Sequence, residues 1–138
     1  MHSSVRGIIK KEDGIILIHR IKRKKDGTYR EYYVVPGGKI EKNETEEETV
    51  IREVKEEVGI IIKPFKKMFE YNSDYDNSIQ KFYLCEYIKG EIGTGNGPEL
   101  NNKLEDEVFE IVIIKKNEIA NINLVPEEIK DIILREEM

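Results

Sequence analysis

The chain has 138 residues, 38% of them hydrophobic and 37% charged, with a net charge of −5 at pH 7. This length suits one globular domain, residues 1–138, with room for a real hydrophobic core. The acidic balance argues against sequence-independent binding of long nucleic acids, and no apolar stretch approaches the roughly 18 residues that a membrane-spanning helix needs.

The first part of the chain predicts a β-hairpin followed by a third strand. Val5–Lys10 and Gly14–Ile21 have strand-like composition, and the Asp-Gly pair between them suits a hairpin turn. The basic segment Lys22–Gly27 predicts a loop, and Tyr29–Val35 predicts the next strand. Pro36-Gly37-Gly38 cannot continue a regular strand, because proline lacks the donor, so a shaped loop is expected there.

The next segment predicts a helix from Glu46 to Glu57. Thr45 and Glu48 form a capping-box pattern at its start. Valines then recur every four residues, at Val50, Val54 and Val58, and predict an apolar stripe that docks on a sheet. Gly59 supplies the stop signal.

The remainder predicts three strands, a long loop, a last strand and two helical segments. The three strands are Ile60–Ile62, Lys66–Tyr71 and Ile79–Ile88, with a polar turn at Asn72–Ser78 before the third. Gly90–Asp106, rich in Gly, Asn and acidic residues, predicts a functional or mobile loop. The last elements are a strand over Glu107–Lys115 and helical segments over Asn117–Ile122 and Pro126–Glu137.

Three acidic residues on the predicted helix indicate a metal site. Glu53, Glu56 and Glu57 are spaced i, i+3 and i+4, so their carboxylates project from one side of the helix. Three like charges repel one another unless hard divalent cations such as Mg²⁺ or Mn²⁺ lie among them. Such ions can neutralise a diphosphate and lower the pKa of bound water, which points to hydrolysis of a phosphate bond. A solvated helix face is the alternative for an arbitrary acidic trio.

The surrounding residues resemble the Nudix box of the Nudix hydrolase family, and the resemblance is to its MutT-like members. Its pattern is Gly, five residues, Glu, seven residues, Arg-Glu, an aliphatic residue, one residue, Glu-Glu, one residue, Gly and an aliphatic residue. The segment from Gly38 to Ile60 matches every specified position. The resemblance implies an α/β fold, a Nudix-type α/β/α sandwich with a central mixed β-sheet.

The resemblance also implies roles for individual residues. The divalent cations would be bound by the carboxylates of Glu53, Glu56 and Glu57 and by the carbonyl of Gly38. Glu53 would also serve as base. Arg52 would orient the carboxylates. An exposed ion pair is the alternative for Arg52. Glu44 is expected to bind loop amides rather than metal. Many family members recruit a further acid from a late loop, and the candidates are Glu99, Glu105, Asp106 and Glu107, with Glu107 preferred.

Signals for the substrate lie outside the box and are faint. Arg20 and Arg23 could bind a terminal phosphate, while Tyr32, Tyr75 or Phe82 could stack on a base, although packing is the expected role of each aromatic residue. Tyr75 lies roughly where dinucleoside-polyphosphate hydrolases of the family carry a tyrosine.

The function implied by the resemblance is metal-dependent hydrolysis of a nucleoside diphosphate linked to a moiety X. The substrate would be a small nucleotide: a nucleoside triphosphate, a dinucleoside polyphosphate or a nucleotide sugar. A nucleotide-sensing Nudix module without turnover is the alternative, and an isomerase of a non-nucleotide diphosphate is disfavoured because no second cysteine accompanies Cys85. The single cysteine and the polar amino terminus predict a cytoplasmic protein without a disulfide or signal peptide, and the family suggests a homodimer.

Overall fold

A computed structural model describes residues 2–74, 76–95 and 106–136. In chain order they form strands β1 (His2–Lys11), β2 (Gly14–Arg23), β3 (Tyr29–Val34) and β4 (Gly37–Lys39), helix α1 (Glu46–Val58), and strands β5 (Ile60–Ser73), β6 (Ser78–Gly90) and β7 (Val108–Lys115). A 3₁₀ helix (Lys116–Asn121) and helix α2 (Glu128–Arg135) follow β7.

The sheet is mixed, and β1 changes its neighbour halfway along. The order β3-β2-β1-β6-β5 forms the main path, with β4 paired to β1 and β7 paired to β2. β1 is parallel to β6 and antiparallel to β4 through the register Arg6↔Gly37, but beyond its midpoint it pairs with β2 through Lys10↔Ile15. The sheet therefore divides at the middle of β1, between β4 on one side and β2 on the other.

Two hydrophobic clusters cover opposite faces of the sheet. On one face, Val50, Val54 and Val58 of α1 are buried against strand residues such as Val5 and Ile62. On the other face, the 3₁₀ helix and α2 contribute buried isoleucines, and the strands contribute further apolar side chains, among them Ile8, Leu17 and Phe82. The arrangement is an α/β/α sandwich, as the sequence predicts.

Local signals at both ends of α1 work as expected. The Thr45 side chain accepts from the Glu48 amide at 3.1 Å, and the Glu48 carboxylate accepts from the Thr45 amide at 2.9 Å. At the other end Gly59 adopts φ 91°, a left-handed conformation, and its amide donates to the carbonyls of Val54 and Lys55. The helix is thus fixed at the residues that carry the acidic trio.

The sequence-based prediction was wrong at three places in the chain. The loop expected at Pro36-Gly37-Gly38 includes the start of the short strand β4, because Gly37–Lys39 pairs with β1. β2 continues through Arg23 because it pairs with β3 to the end, where a loop was expected from Lys22. The two strands expected on either side of Pro64 form one strand, β5, with register shifts around the proline. The helical segment expected over Asn117–Ile122 is confirmed and is a 3₁₀ helix over Lys116–Asn121.

None of the helices in the described ranges has the length and apolar character that a bilayer crossing requires.

Candidate active site

A cavity of about 370 Å³ opens where the sheet divides. Acidic residues of α1, the start of β4 and basic residues of the strands all contribute to its wall. We call it the carboxylate cavity, and its lining residues are Arg6, Ile18, Arg20, Tyr32, Val34, Gly37, Gly38, Lys39, Glu53, Glu57 and Phe109. Carboxylates and guanidinium groups therefore face one another across a space large enough for a small ligand.

The backbone of β4 and the carboxylates of α1 are in close contact. Glu57 is 6% exposed, and its carboxylate accepts a hydrogen bond from the Gly37 amide at 2.8 Å. At Gly38, an added Cβ would lie 2.4 Å from the carboxylate carbon of Glu53. Only glycine at position 38 lets the Glu53 carboxylate lie against the main chain, which explains this element of the sequence pattern.

Arg52 holds the acidic side chains of the loop and the helix together. Its Nε and Nη2 donate to the two carboxylate oxygens of Glu44 at 2.6 and 3.1 Å. Its Nη1 donates to Glu53 at 2.8 Å and lies 3.3 to 3.4 Å from the carboxylate oxygens of Glu56. Arg52 thus forms a fork-to-fork pair with Glu44 and also makes the i,i+4 contact with Glu56.

Glu44 has the structural position that the sequence predicts. Its carboxylate accepts from the Glu41 amide at 3.0 Å and from the Thr49 hydroxyl at 2.9 Å. The hydrogen bonds from Arg52 are the main reason that the pKa of Glu44 is lowered to about 2. The carboxylate therefore stays ionised across the neutral range and anchors the arginine.

Only some of the residues expected to contact the substrate line the carboxylate cavity. Arg20 lies in the carboxylate cavity with its guanidinium over the Phe109 ring, 4.9 Å from the centroid, and its buried Nε has no hydrogen-bond partner in the described residues. Tyr32 also lines this cavity. Phe82 is completely buried in the core, so base stacking by this residue is excluded, and Tyr75 lies outside the described residues.

The late acids are only partly described. Glu107 accepts a hydrogen bond from the Arg23 amide at 3.0 Å, and Asp106 pairs with the Arg23 guanidinium at 2.6 Å. Neither belongs to the lining of the carboxylate cavity, although Phe109, two residues after Glu107, does. Glu99 and Glu105 lie outside the described residues, so the identity of a late acid remains a prediction.

The family model of the NUDIX domain matches residues 1–133. The chain belongs to the Nudix family.

Two curated relatives support this assignment. The Nudix chain is 37% identical over 97 residues to an ADP-ribose pyrophosphatase from Methanocaldococcus jannaschii, a match that covers 67% of this chain and 55% of the relative. It is 39% identical over 87 residues to an 8-oxo-dGTP diphosphatase from Escherichia coli, covering 62% of this chain and 66% of the relative. The matches therefore span less than two thirds of either relative.

A solved structure shows the same fold. The MutT protein from Methanosarcina mazei Go1 superposes with a TM-score of 0.68 at 21% identity, over 97% of this chain and 91% of that chain. This likeness confirms the Nudix architecture expected from the box.

The donor set of the Nudix site fits a hard divalent cation, although its carboxylates are turned towards protein groups. The oxygens of Glu53 and Glu57 and the backbone of Gly38 share one cavity, and oxygen donors of this kind suit Mg²⁺ or Mn²⁺. Within the described ranges, no three histidine, cysteine or acidic side chains are gathered as a cluster that could hold a metal ion.

Two arrangements in this Nudix protein were missed by the sequence-based analysis. Arg6 lines the carboxylate cavity from β1, and its only signal was a charged residue between Val5 and the apolar residues that follow. Glu46 accepts hydrogen bonds from Lys81 Nζ at 2.8 Å and from the Tyr83 hydroxyl at 2.6 Å. Burial raises the pKa of Glu46, but these hydrogen bonds and the charge of Lys81 together outweigh burial and lower the pKa to about 2. Glu46 thereby ties the first turn of α1 to β6.

Proposed function

We propose that this Nudix protein is a metal-dependent hydrolase that cleaves the diphosphate bond of a nucleoside diphosphate linked to a moiety X. The products are a nucleoside monophosphate and phosphorylated X. One observation carries the proposal: Glu53 and Glu57 share the carboxylate cavity with Arg6 and Arg20. Acids that can bind cations and guanidinium groups that can bind phosphate therefore face the same ligand.

The metal would be held by Glu53, Glu56, Glu57 and the carbonyl of Gly38. Mg²⁺ is the proposed ion and Mn²⁺ its substitute. When bound, a divalent cation supplies positive charge to the diphosphate and makes a water molecule easier to deprotonate. The close contact between the Gly38 backbone and the Glu53 carboxylate supports this set of ligands, since one ion can then reach both groups.

The other residues position the carboxylates and the substrate. Arg52, anchored by Glu44, donates a hydrogen bond to Glu53, which lines the cavity, and contacts Glu56 one turn further along α1. Arg20 presents a guanidinium whose buried Nε lacks a protein partner among the described residues, so a phosphate oxygen would satisfy it. We assign the general base to a carboxylate oxygen of Glu53, which lines the cavity, with Glu107 as the alternative.

The test is a panel of nucleotides assayed with Mg²⁺ and with Mn²⁺. It includes nucleoside triphosphates, dinucleoside polyphosphates and nucleotide sugars, because the two curated relatives are an ADP-ribose pyrophosphatase and an 8-oxo-dGTP diphosphatase. At least one compound should be turned over, and EDTA should abolish the turnover.

Matched variants on α1 connect any turnover to the site. Glu57→Gln and Glu56→Gln should lower kcat/KM by at least about 100-fold while circular dichroism remains native. Glu47→Gln, at an exposed position of the same helix, removes an equal charge and should leave turnover within about twofold. Nucleotide binding without product at any divalent concentration would contradict the proposal and favour a sensing module.

The proposal extends to the setting of the protein. We treat residues 1–138 as one domain, because the strands from both ends of the described chain join a single sheet. The single cysteine, Cys85, is buried and unpaired, which agrees with the cytoplasm as the proposed compartment. A homodimer and the absence of long nucleic acid as a ligand are also part of the proposal, and gel filtration with light scattering tests the oligomeric state.

A further inference from the structure

A second cavity, of about 280 Å³, lies beside the carboxylate cavity and has an unusual charge composition. Two arginines contribute to its wall, together with hydroxyl and amide groups, and no carboxylate belongs to the part of its lining that the structure describes. We call it the arginine cavity, and its lining residues are Arg6, Arg30, Val34, Tyr71, Ser73, Gln80, Val125 and Pro126. In a protein with a net charge of −5, a concave surface whose described lining holds two arginines and no carboxylate is an anion-binding environment.

Arg6 connects the two cavities and is held in place by the protein. Its Nε donates to the Gln80 side-chain oxygen at 3.0 Å, and its Nη1 donates to the Val35 carbonyl at 2.8 Å. Arg6 lines both the carboxylate cavity and the arginine cavity. Because its guanidinium is already fixed, a ligand that contacts it loses less side-chain entropy on binding.

Arg30 supplies the second positive charge. It lines the arginine cavity and does not line the carboxylate cavity. Its guanidinium lies over the Tyr32 ring, 4.4 Å from the centroid, and Tyr32 faces the carboxylate cavity. The stacked pair therefore borders both spaces. A cation–π contact of this kind restricts an otherwise exposed arginine to one side of the opening.

We propose, on the basis of the proposed function, that the arginine cavity binds a phosphate group of the substrate outside the diphosphate that is cleaved. With the scissile diphosphate in the carboxylate cavity, Arg6 reaches towards both groups. The preferred substrates are accordingly nucleoside diphosphates that bear an additional phosphate, either on moiety X or on the ribose of the nucleoside.

Inorganic phosphate tests the cavity without reference to catalysis. Titrated into the full chain in EDTA, phosphate should shift the Nε–Hε NMR signals of Arg6 and Arg30 in a saturable manner, while the signal of exposed Arg135 stays in place. Arg30→Gln should weaken the effect on Arg6 by about tenfold in affinity. The proposal would be overturned if phosphate did not shift the Arg6 and Arg30 signals, or if it shifted the Arg135 signal equally. A native melting curve of Arg30→Gln ensures that lost binding does not reflect unfolding.

Turnover of matched substrates then tests the role of the cavity in selection. ADP-ribose is compared with its 1″-phosphate and its 2′-phosphate, which differ from it by one phosphate on either side of the scissile bond. Arg30→Gln should reduce the preference for one phosphorylated compound over ADP-ribose by about tenfold, and the compound affected identifies the side. Arg135→Gln is the control and should leave both preferences unchanged.

The outcomes separate this inference from the proposed function. If the unmodified protein turns over none of the nucleotides, the proposed function fails, and the phosphate titration still decides whether the cavity binds anions. If turnover occurs and Arg30→Gln lowers it equally for all three ADP-ribose compounds, or for none, the anion assignment fails while the hydrolase assignment stands.

Discussion

Replacing Glu44 by glutamine tests whether the Arg52 network stabilises the fold. The carboxylate of Glu44 accepts two hydrogen bonds from Arg52, one from the Thr49 hydroxyl and one from the Glu41 amide. Glutamine has nearly the same shape but no charge, and it offers the arginine one oxygen instead of two. The substitution therefore removes a charge-assisted pair without opening a cavity.

The expected decrease in the free energy of unfolding of Glu44→Gln follows from this geometry. The Glu44 side chain is 18% exposed, so solvent screens the pair in part and the lower end of the range for charged hydrogen bonds applies, about 2 kcal/mol. For a chain of 138 residues this corresponds to a decrease in Tm of roughly 7 °C.

The loss should also depend on pH. Hydrogen bonding from Arg52 lowers the pKa of Glu44 from 4.5 to about 2, so the native state favours the ionised form. The contribution of the Glu44 carboxylate to the free energy of unfolding is complete above pH 4.5, where this residue is also ionised in the unfolded chain. It disappears as the pH falls towards 2. The stability difference between the wild-type protein and Glu44→Gln should therefore shrink in this window.

Urea unfolding at pH 7, 5, 4 and 3 measures this difference, with Glu47→Gln as the control for removal of a negative charge nearby. A difference below about 0.5 kcal/mol at pH 7, where surface substitutions usually fall, would refute the reasoning. A difference that stays constant from pH 5 to pH 3 would refute the assignment to the ionised carboxylate.

Three further predictions concern the site, the core and His19 of β2. Gly38→Ala places a Cβ 2.4 Å from the Glu53 carboxylate carbon, so turnover of any substrate found should fall by about 100-fold with a native circular dichroism spectrum. Val54→Ala removes completely buried methyl groups between α1 and the sheet, so urea unfolding should show a loss of about 2 kcal/mol. Burial lowers the pKa of His19, but hydrogen bonds with Glu110 and Glu31 outweigh it and raise the pKa above 6.5. The stabilising contribution of His19 is therefore complete below pH 6.5 and is lost as the pH rises through the raised pKa of the folded state. An NMR titration should show the raised midpoint, and Glu110→Gln should lower it.

The elements that sequence predicted well depend on local interactions. α1 begins at the Thr45 and Glu48 capping box and ends at Gly59, and each of these signals acts within one turn of the helix. The valine stripe points to the sheet because helical periodicity alone determines the face. The acidic trio was therefore placed correctly on α1 before its surroundings were known.

The errors arise where pairing between distant segments decides the structure. β4 contains two glycines, which disfavour a strand, but pairing of Gly37–Lys39 with β1 provides hydrogen bonds that local propensity does not include. The sequence predicts two strands, Ile60–Ile62 and Lys66–Tyr71, where the structure has the single strand β5 running through Pro64. Among the described residues, β5 lies at the edge of the sheet with β6 as its one neighbour, and an edge strand with register shifts tolerates a proline.

The site was predicted in part for the same reason. The residues on α1 and in the preceding loop follow from a contiguous pattern, whereas Arg6, Arg20 and Tyr32 come together only because β1, β2 and β3 meet where the sheet divides. The geometry also revealed that Arg52 contacts Glu44, Glu53 and Glu56 at once, which spacing alone could not establish.

Because β1 changes its neighbour along its length, the same sheet both lines a ligand cavity and packs a hydrophobic core. Arg6, Arg20 and Tyr32 face the opening and belong to neither hydrophobic cluster, while the side chains that bury apolar area lie elsewhere on the same strands. Substitutions at these three positions can therefore change which ligand the cavity accepts without removing a side chain from either hydrophobic cluster.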